Sequence, residues 1–310
     1  MATRRFELTT LGTGAALPAR GRFPTAQLLN VHEALYLIDC GEGTQERLRE
    51  QGVNFMRIGH IFISHLHGDH YLGLMGLVSS MHLMGRKKEL HVHGPAELKQ
   101  VIDLQLQVSG TYLRYPLRFH ALRPESGLLA WEDHHVTVQV LALRHRIPCT
   151  GFVFRERPAP RHLRKDKLHL IPHFRRNDIK NGDDLRMDDG KVIPNAELTT
   201  DPSPQRAYAY CSDTAYEPAL VPHLQNVDLL YHEATFTESL LKRAKETMHS
   251  TALQAATLAR EANVGHLLLG HFSSRYKTAD ELLHEALPVF PRTSLSFEGG
   301  VFAIHERTGV

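Results

Sequence analysis

The sequence predicts a layered α/β fold, and three observations carry that expectation. Short apolar runs recur along the chain, at 58–63, where β-branched residues and Phe62 read as a buried strand, and at 136–143, 207–211, 227–231 and 266–270. Stretches with Leu, Met and Val at helical spacing, 71–84 and 95–108, fit helices between them. Histidine or aspartate stands just beyond several of the runs, where layered α/β folds build active sites from loops.

The elements follow in order. Residues 6–11 alternate apolar and polar, and 26–31 and 34–38 flank a short turn as a hairpin does. Between them Pro18-Ala19-Arg20-Gly21-Arg22-Phe23-Pro24 reads as a loop. Residues 44–51 read as a short helix, 151–155 as a strand and 181–204 as a return loop. The chain has 310 residues, 42% hydrophobic and 23% charged, enough for one large core, and no domain boundary is evident, so 1–310 reads as a single catalytic domain. No run reaches the 18 or more apolar residues of a membrane span. The basic N-terminus, Met1 to Glu7, has no apolar stretch behind it, so no signal peptide is expected. Cys40, Cys149 and Cys211 are far apart and form no Cys-x-x-Cys pair, which fits buried thiols in a reducing, cytoplasmic compartment.

The chemistry concentrates in Ser64-His65-Leu66-His67-Gly68-Asp69-His70, where a strand hands over to a helical pattern. Imidazoles and a carboxylate suit zinc or a similar divalent metal. One ion cannot take all four side chains from so tight a turn, but two ions about 3.5–4 Å apart can share them. With 22 histidines in the chain an isolated His-x-His is cheap, and Leu90-His91-Val92-His93 is a decoy of that kind. Asp39, at the end of a strand, could orient a ligand histidine. His145, Asp213 and His271 complete the set of strand-end candidates.

Positive charge is concentrated as well. Residues 155–180 hold nine Lys or Arg against three acids, in a chain of net charge +2. Pro158, Pro160 and Pro172 argue for an extended arm there rather than one long helix. Such a concentration suits phosphate-backbone binding. We take 155–200 as an inserted basic arm, a candidate RNA exosite, with Arg161, Arg164, Lys165 and Lys167 as its candidate contacts.

His65-x-His67-x-Asp69-His70 at a strand end resembles the signature of the metallo-β-lactamase superfamily. Leu11-Gly12-Thr13-Gly14, Asp39-Cys40-Gly41-Glu42-Gly43-Thr44-Gln45, Ser212-Asp213-Thr214, His232-Glu233-Ala234-Thr235-Phe236 and His249-Ser250-Thr251 narrow the likeness to the ribonuclease Z family, over nearly the whole chain. The resemblance implies an αββα four-layer sandwich and an endoribonuclease that trims the 3′ end of precursor tRNA. It further implies two Zn2+ per subunit, or another divalent metal, and a homodimer built partly from helices after the motif. The superfamily order assigns His65, His67, His145 and Asp213 to one ion and Asp69, His70, His271 and the same Asp213 to the other. Asp213 is informative, since a carboxylate can bridge two cations where a cysteine would suggest a one-metal site. Asp69 is placed to orient the attacking water and take its proton, and His249 held by Glu233 is assigned the proton for the leaving 3′ oxygen. The family's Pro-x-Lys-x-Arg-Asn loop becomes Pro18, Arg20, Arg22 and Phe23 here, so Arg20 and Arg22 are candidate RNA contacts. Arg275 is a candidate phosphate contact, or equally a surface arginine. The Gly-Pro motif common in the family's arm is not evident.

Two rivals remain open from the residues. A two-metal hydrolase of a small phosphodiester or thioester would share every ligand but has no use for a basic arm. A non-catalytic nucleic-acid-binding protein would have no reason to keep a complete set of buried polar ligands.

Overall fold

The computed structural model describes residues 5–305; the reading of residues 1–4 lies outside the described residues. The chain divides into two compact units, Glu156–Gln205 and the remainder of the described chain. The larger unit contains two seven-stranded sheets. The first is formed by β1 (Phe6–Gly12), β2 (Ala26–Val31), β3 (Ala34–Ile38), β4 (Ile58–Phe62), β5 (Leu90–Pro95) and β6 (Leu117–Leu122) side by side in that order. The second takes β7 (Leu129–Glu132), β8 (Val136–Leu143) and β9 (Cys149–Glu156) from the first half of the chain. The small unit contributes only two-residue strands, β10 (His162–Leu163), β11 (Leu185–Arg186), β12 (Val192–Ile193) and β13 (Thr199–Thr200). The chain then returns as β14 (Ala207–Cys211), β15 (Leu229–Glu233), β16 (His266–Gly270) and β17 (Thr293–Leu295), completing the second sheet in the order β17-β16-β15-β14-β9-β8-β7. A last strand, β18 (Val301–Ala303), goes back to pair antiparallel with β1.

Three apolar layers show why the elements stack. Phe6, Tyr36, Phe62, Phe152, Phe154, Tyr208, Tyr210 and Tyr231 fill the space between the two sheets. The outer face of the first sheet packs Leu37, Ile58 and Ile61 against Leu48, Leu77, Val78 and Leu98 of the helices Thr44–Glu50, Leu74–Leu83 and Ala96–Val108. The outer face of the second packs Leu230, Leu267 and Leu269 against Ala255, Leu258 and Leu282 of Ala252–Glu261 and Asp280–Ala286. Helix, sheet, sheet, helix is the αββα order. Truncating Phe62, fully buried among aromatic rings, would cost about 3–5 kcal/mol.

The topology places the loops. Strands β3 to β6 run parallel, as do β14 to β17, so the ends of β3 and β4 deliver Asp39 and the 64–70 turn while β14, β15 and β16 end at Asp213, Glu233 and His271. His145 lies in the turn from β8 to β9.

The expected helix over 71–84 is broken into Gly68–Tyr71 and Leu74–Leu83. The break is a close approach: a Cβ on Gly73 would lie 2.2 Å from the Gly41 carbonyl oxygen. The strand expected at 227–231 runs instead over Leu229–Glu233, so His232 and Glu233 belong to the strand.

Residues 156–205 differ more from expectation. They form neither a long helix nor an extended arm: Ile171, Ile179, Leu185 and Leu198 make a small core, with Leu163 and Ile193 packed on it. The expected return loop contains β11, β12, β13 and the turn of helix Asn195–Leu198. Its acids also offset the basic stretch, for the unit holds ten Lys or Arg and nine Asp or Glu.

Candidate metal centre

Four of the five histidines of the centre are oriented through one ring nitrogen, which leaves the other facing inward. His70 Nδ1 lies 2.7 Å from Asp39 Oδ2. His65 Nδ1 lies 3.0 Å from Ser64 Oγ, whose hydroxyl donates to the same Asp39 oxygen. His145 Nδ1 lies 3.0 Å from the Met248 carbonyl and His271 Nδ1 3.0 Å from Thr235 Oγ1. A donated Nδ1–H fixes the tautomer and aims the Nε2 lone pair at the centre. His67 is the exception and presents Nδ1. Asp39 is the hub, fully buried, and also accepts from the Ser64 N–H and the Tyr210 hydroxyl. Its backbone and that of His271 are held at positive φ, 54° and 56°, a strained conformation for non-glycine residues.

Two ligand groups result, and a third, Asp213, His249 and His271, overlaps them. His65, His67, His145 and Asp213 offer ligand atoms within 4.8 Å of one another, as do Asp69, His70 and His271. His67 Nδ1 is 3.0 Å from His65 Nε2 and 3.1 Å from His145 Nε2, and both Nε2 atoms are 3.7 Å from Asp213 Oδ2. Asp213 Oδ1 is 3.3 Å from His70 Nε2 and 3.1 Å from His271 Nε2, and those nitrogens lie 3.4 and 3.6 Å from Asp69 Oδ2. One carboxylate therefore faces both groups, one oxygen to each. The donor set fits a pair of divalent cations: the buried Nε2 atoms of His70 and His271 have no hydrogen-bond partner. Atoms about 3.4 Å apart can also share a tetrahedral ion with bonds of about 2.1 Å.

The electrostatics agree. Burial holds His65 well below the ordinary imidazole value, and it lowers His67 and His145 against the pull of Asp213, keeping lone pairs available. At His70 burial acts downward too, but Asp213, Asp39 and Asp69 outweigh it and favour positive charge there. Burial would raise Asp213, yet His271 and His70 hold its carboxyl well below the usual range. Asp69 is likewise held low, against burial, by His70 and His271, and its Oδ2 accepts the Ala16 N–H at 2.8 Å.

His249 borders this centre. Its Nδ1 is 2.7 Å from Glu233 Oε1, and Glu233 is itself fixed by the Thr214 N–H, the Thr235 N–H and the Thr235 hydroxyl. Burial alone would lower His249, but Glu233 overrides it and pushes its pKa up to about 9. His249 lines, with Asp69, His67, His145, Asp213 and His271, a cleft of about 470 Å³.

The other residues singled out from the sequence lie elsewhere. Arg20 donates to the Ser274 carbonyl, and Arg22 donates to the Tyr276 carbonyl with its guanidinium 5.1 Å from the Phe272 ring centre. Arg275 lies over Phe236 and contacts Ser273 Oγ. None of the three lines the cleft, although Pro18 and Pro24 do. In the small unit Arg161 is bound to Thr199 Oγ1 and Asp201, and Arg164 to the Thr199 carbonyl, while Lys165 is exposed and Lys167 half-buried. Sequence reading missed the supports: Thr235, which links Glu233 to His271, the Met248 carbonyl behind His145, and Tyr210 on Asp39. Thr235 stood inside the His-Glu-Ala-Thr block, whereas a backbone carbonyl and a core tyrosine leave no signal. The cysteines are buried and free, and among the described residues no helix is long and apolar enough to cross a membrane.

Comparison with known proteins fits this arrangement. The chain is 48% identical to ribonuclease Z of Bacteroides fragilis over 296 residues, covering 95% of this chain and 97% of that one. It is 45% identical to ribonuclease Z of Bacteroides thetaiotaomicron over 306 residues, 98% of this chain and 97% of the other. The crystal structure of human tRNase Z, short form, superposes with a TM-score of 0.70 at 27% identity, covering 97% of this chain and all of that one. A family model described as anti-Pycsar protein Apyc1 matches residues 6–154. With relatives this similar along nearly its whole length, and a His/Asp cluster on a metallo-β-lactamase fold, the chain belongs to the ribonuclease Z family.

Proposed function

We propose that this protein removes the 3′ trailer from precursor tRNA by two-metal phosphodiester hydrolysis, leaving a 3′-hydroxyl on the tRNA. The observation that carries the reading is Asp213, whose two oxygens face two separate ligand groups. His65, His67, His145 and Asp213 would hold one ion, and Asp69, His70, His271 and Asp213 the other, with zinc suited to imidazole and carboxylate donors. Such an ion pair supplies an acidified water and offsets negative charge on the phosphoryl oxygens. Asp69 orients that water through the oxygen aimed into the centre and accepts its proton. As the bond between phosphorus and the 3′ oxygen breaks, His249 donates a proton to that oxygen. Glu233 holds the imidazolium in place and in its charged form.

The same reading takes the protein as a cytoplasmic homodimer. Leu83, Met84, Leu104, Val108 and Tyr112, on or just after the helices Leu74–Leu83 and Ala96–Val108, expose large apolar side chains that a second copy would cover. Leu83→Glu with Val108→Glu should then yield monomers in sedimentation. The decisive test of the function is metal analysis joined to cleavage of a 3′-extended precursor tRNA. Two zinc ions per chain and a product with a 3′-hydroxyl are expected. A zinc-loaded protein that leaves the precursor intact while hydrolysing a small thioester or phosphodiester would overturn it.

A further inference from the structure

The arginines expected to meet phosphate from the sequence are engaged elsewhere, and two others face the cleft. Among the described residues lining it, Arg146 and Arg243 are the Lys or Arg side chains. Each follows or precedes a residue in contact with His249: the His249 N–H donates to the carbonyl of Ala244, next to Arg243, and the ring of His145, next to Arg146, is centred 5.2 Å from the His249 ring. Helix Leu241–Thr247 ends at Met248 in a left-handed conformation, φ 58°, and the carbonyl of that residue meets His145 Nδ1 at 3.0 Å. The neighbouring Arg146 donates to the Glu246 carbonyl at 3.2 Å, and Arg243 lies 3.4 Å from the Glu246 carboxylate. The contact that orients His145 thus also brings the two guanidiniums and the Thr247 side chain to one wall. The wall on the Asp69 side is different: Ala15, Ala16, Pro18 and Pro24 line it, with Glu42 as its charged residue.

We propose that Arg146 and Arg243 form a phosphate clamp that holds the RNA backbone on the retained, 5′ side of the scissile bond. The proposal rests on the ribonuclease reading above. The oxygen that His249 protonates belongs to the last nucleotide kept on the tRNA, so that nucleotide lies on the His249 side of the cleft. Its own 5′ phosphate then faces the wall with two guanidiniums, whereas Glu42 repels phosphate from the opposite one. The Arg243–Glu246 pair is half exposed and weak, so a phosphate can take its place. A guanidinium can bind phosphate through two parallel N–H groups, which fixes the strand as well as attracting it.

The test uses the metal-loaded protein and a 3′-extended precursor tRNA, wild type against Arg146→Ala with Arg243→Ala. The double variant should raise KM by about tenfold or more, with kcat falling less. It should flatten the salt dependence by up to about 0.7 log-log units per lost single-strand contact. Lysine at both positions should restore the salt slope and only part of the affinity. A methylphosphonate at the phosphate one nucleotide 5′ of the cleavage site removes the charge from the RNA instead. It should raise the wild-type KM by a similar factor and add nothing in the double variant; one nucleotide 3′ of the site it should penalise both proteins alike. Unchanged KM in the double variant, or losses that multiply with the 5′ methylphosphonate, would overturn the clamp while wild-type cleavage leaves the ribonuclease reading standing. Failure of the wild type to cut the precursor would overturn that reading and the clamp with it.

Discussion

Two clusters of histidines in the molecule have opposite chemistry. In the centre described above, five imidazoles surround Asp213 and Asp69, each ring but His67 is oriented through Nδ1, and buried nitrogens are left facing inward. The second cluster lies on the inner face of the first sheet, where His60, His91, His93 and His120 stack beneath Trp131. His60 and His91 have ring centres 4.7 Å apart at 14°, and His93 and His120 4.4 Å apart at 13°. Their nitrogens meet one another, His91 Nδ1 and His120 Nε2 at 2.9 Å, His60 Nδ1 and His93 Nε2 at 3.3 Å. Carboxylates stand at its edges and not among the rings: Glu89 lies 3.5 Å from His91, and Asp133 accepts from Trp131 and from Tyr36, the ring stacked on His60. Burial first, then the neighbouring imidazoles, push His60 down to about 4 and His93 to about 2. Histidine content does not make a metal site; carboxylates within reach and rings aimed at one point do.

The largest expected effect is at the shared carboxylate. Asp213→Ala should lower precursor cleavage by at least about a thousandfold and reduce bound metal, because one side chain serves both groups. Asp69→Ala should fall nearly as far, with folding largely intact. Removing His93 or His120 should leave metal content alone, so metal loss from the stacked cluster would erase the distinction drawn here.

His249→Ala should slow cleavage of precursor tRNA by about a hundredfold to ten-thousandfold, but hydrolysis of bis(p-nitrophenyl) phosphate far less. Nitrophenolate leaves without a proton, so equal losses on both substrates would make His249 structural.

The stacked cluster should show itself in acid. His60 and His93 titrate below the unfolded value of about 6.5, so below that pH the unfolded chain binds more protons than the native one. Native stability should therefore drop by a few kcal/mol as pH falls from about 6.5 to about 4, where His60 begins to protonate in place. Urea midpoints for wild type and His60→Phe with His93→Phe should converge toward pH 5 if this holds; parallel losses in both would place the acid sensitivity elsewhere.

The smallest effect belongs to the small unit. Lys165→Ala with Lys167→Ala should raise KM for precursor tRNA a few fold and flatten its salt dependence, if these side chains meet phosphate as the basic stretch leads one to expect. Arg161→Ala differs, because it removes contacts to Thr199 and Asp201 and should make the 156–205 unit more sensitive to protease. Identical salt slopes for wild type and the lysine variant would remove the unit from RNA binding.

How much was legible followed from the range of each interaction. The candidate ligands could be named from the sequence because metal ligation demands particular side chains at strand ends: His65 to His70 form a short pattern, and the superfamily order that this pattern resembles picks out His145, Asp213 and His271 after later strands. The apolar runs likewise determined the layered α/β class, since a buried strand must be apolar on its buried faces. Tertiary structure alone decided which oxygen of Asp213 faces which group and which ring nitrogen of each histidine points inward. Those depend on Asp39, Thr235 and the Met248 carbonyl, contributed by distant segments. It also decided that the basic stretch folds into a compact unit, because Ile171, Ile179, Leu185 and Leu198 are too scattered among charges to form a readable period. It decided which arginines face the cleft for a similar reason: a guanidinium on a long flexible stem goes to its nearest acceptor, and for Arg20 and Arg22 those are the carbonyls of Ser274 and Tyr276.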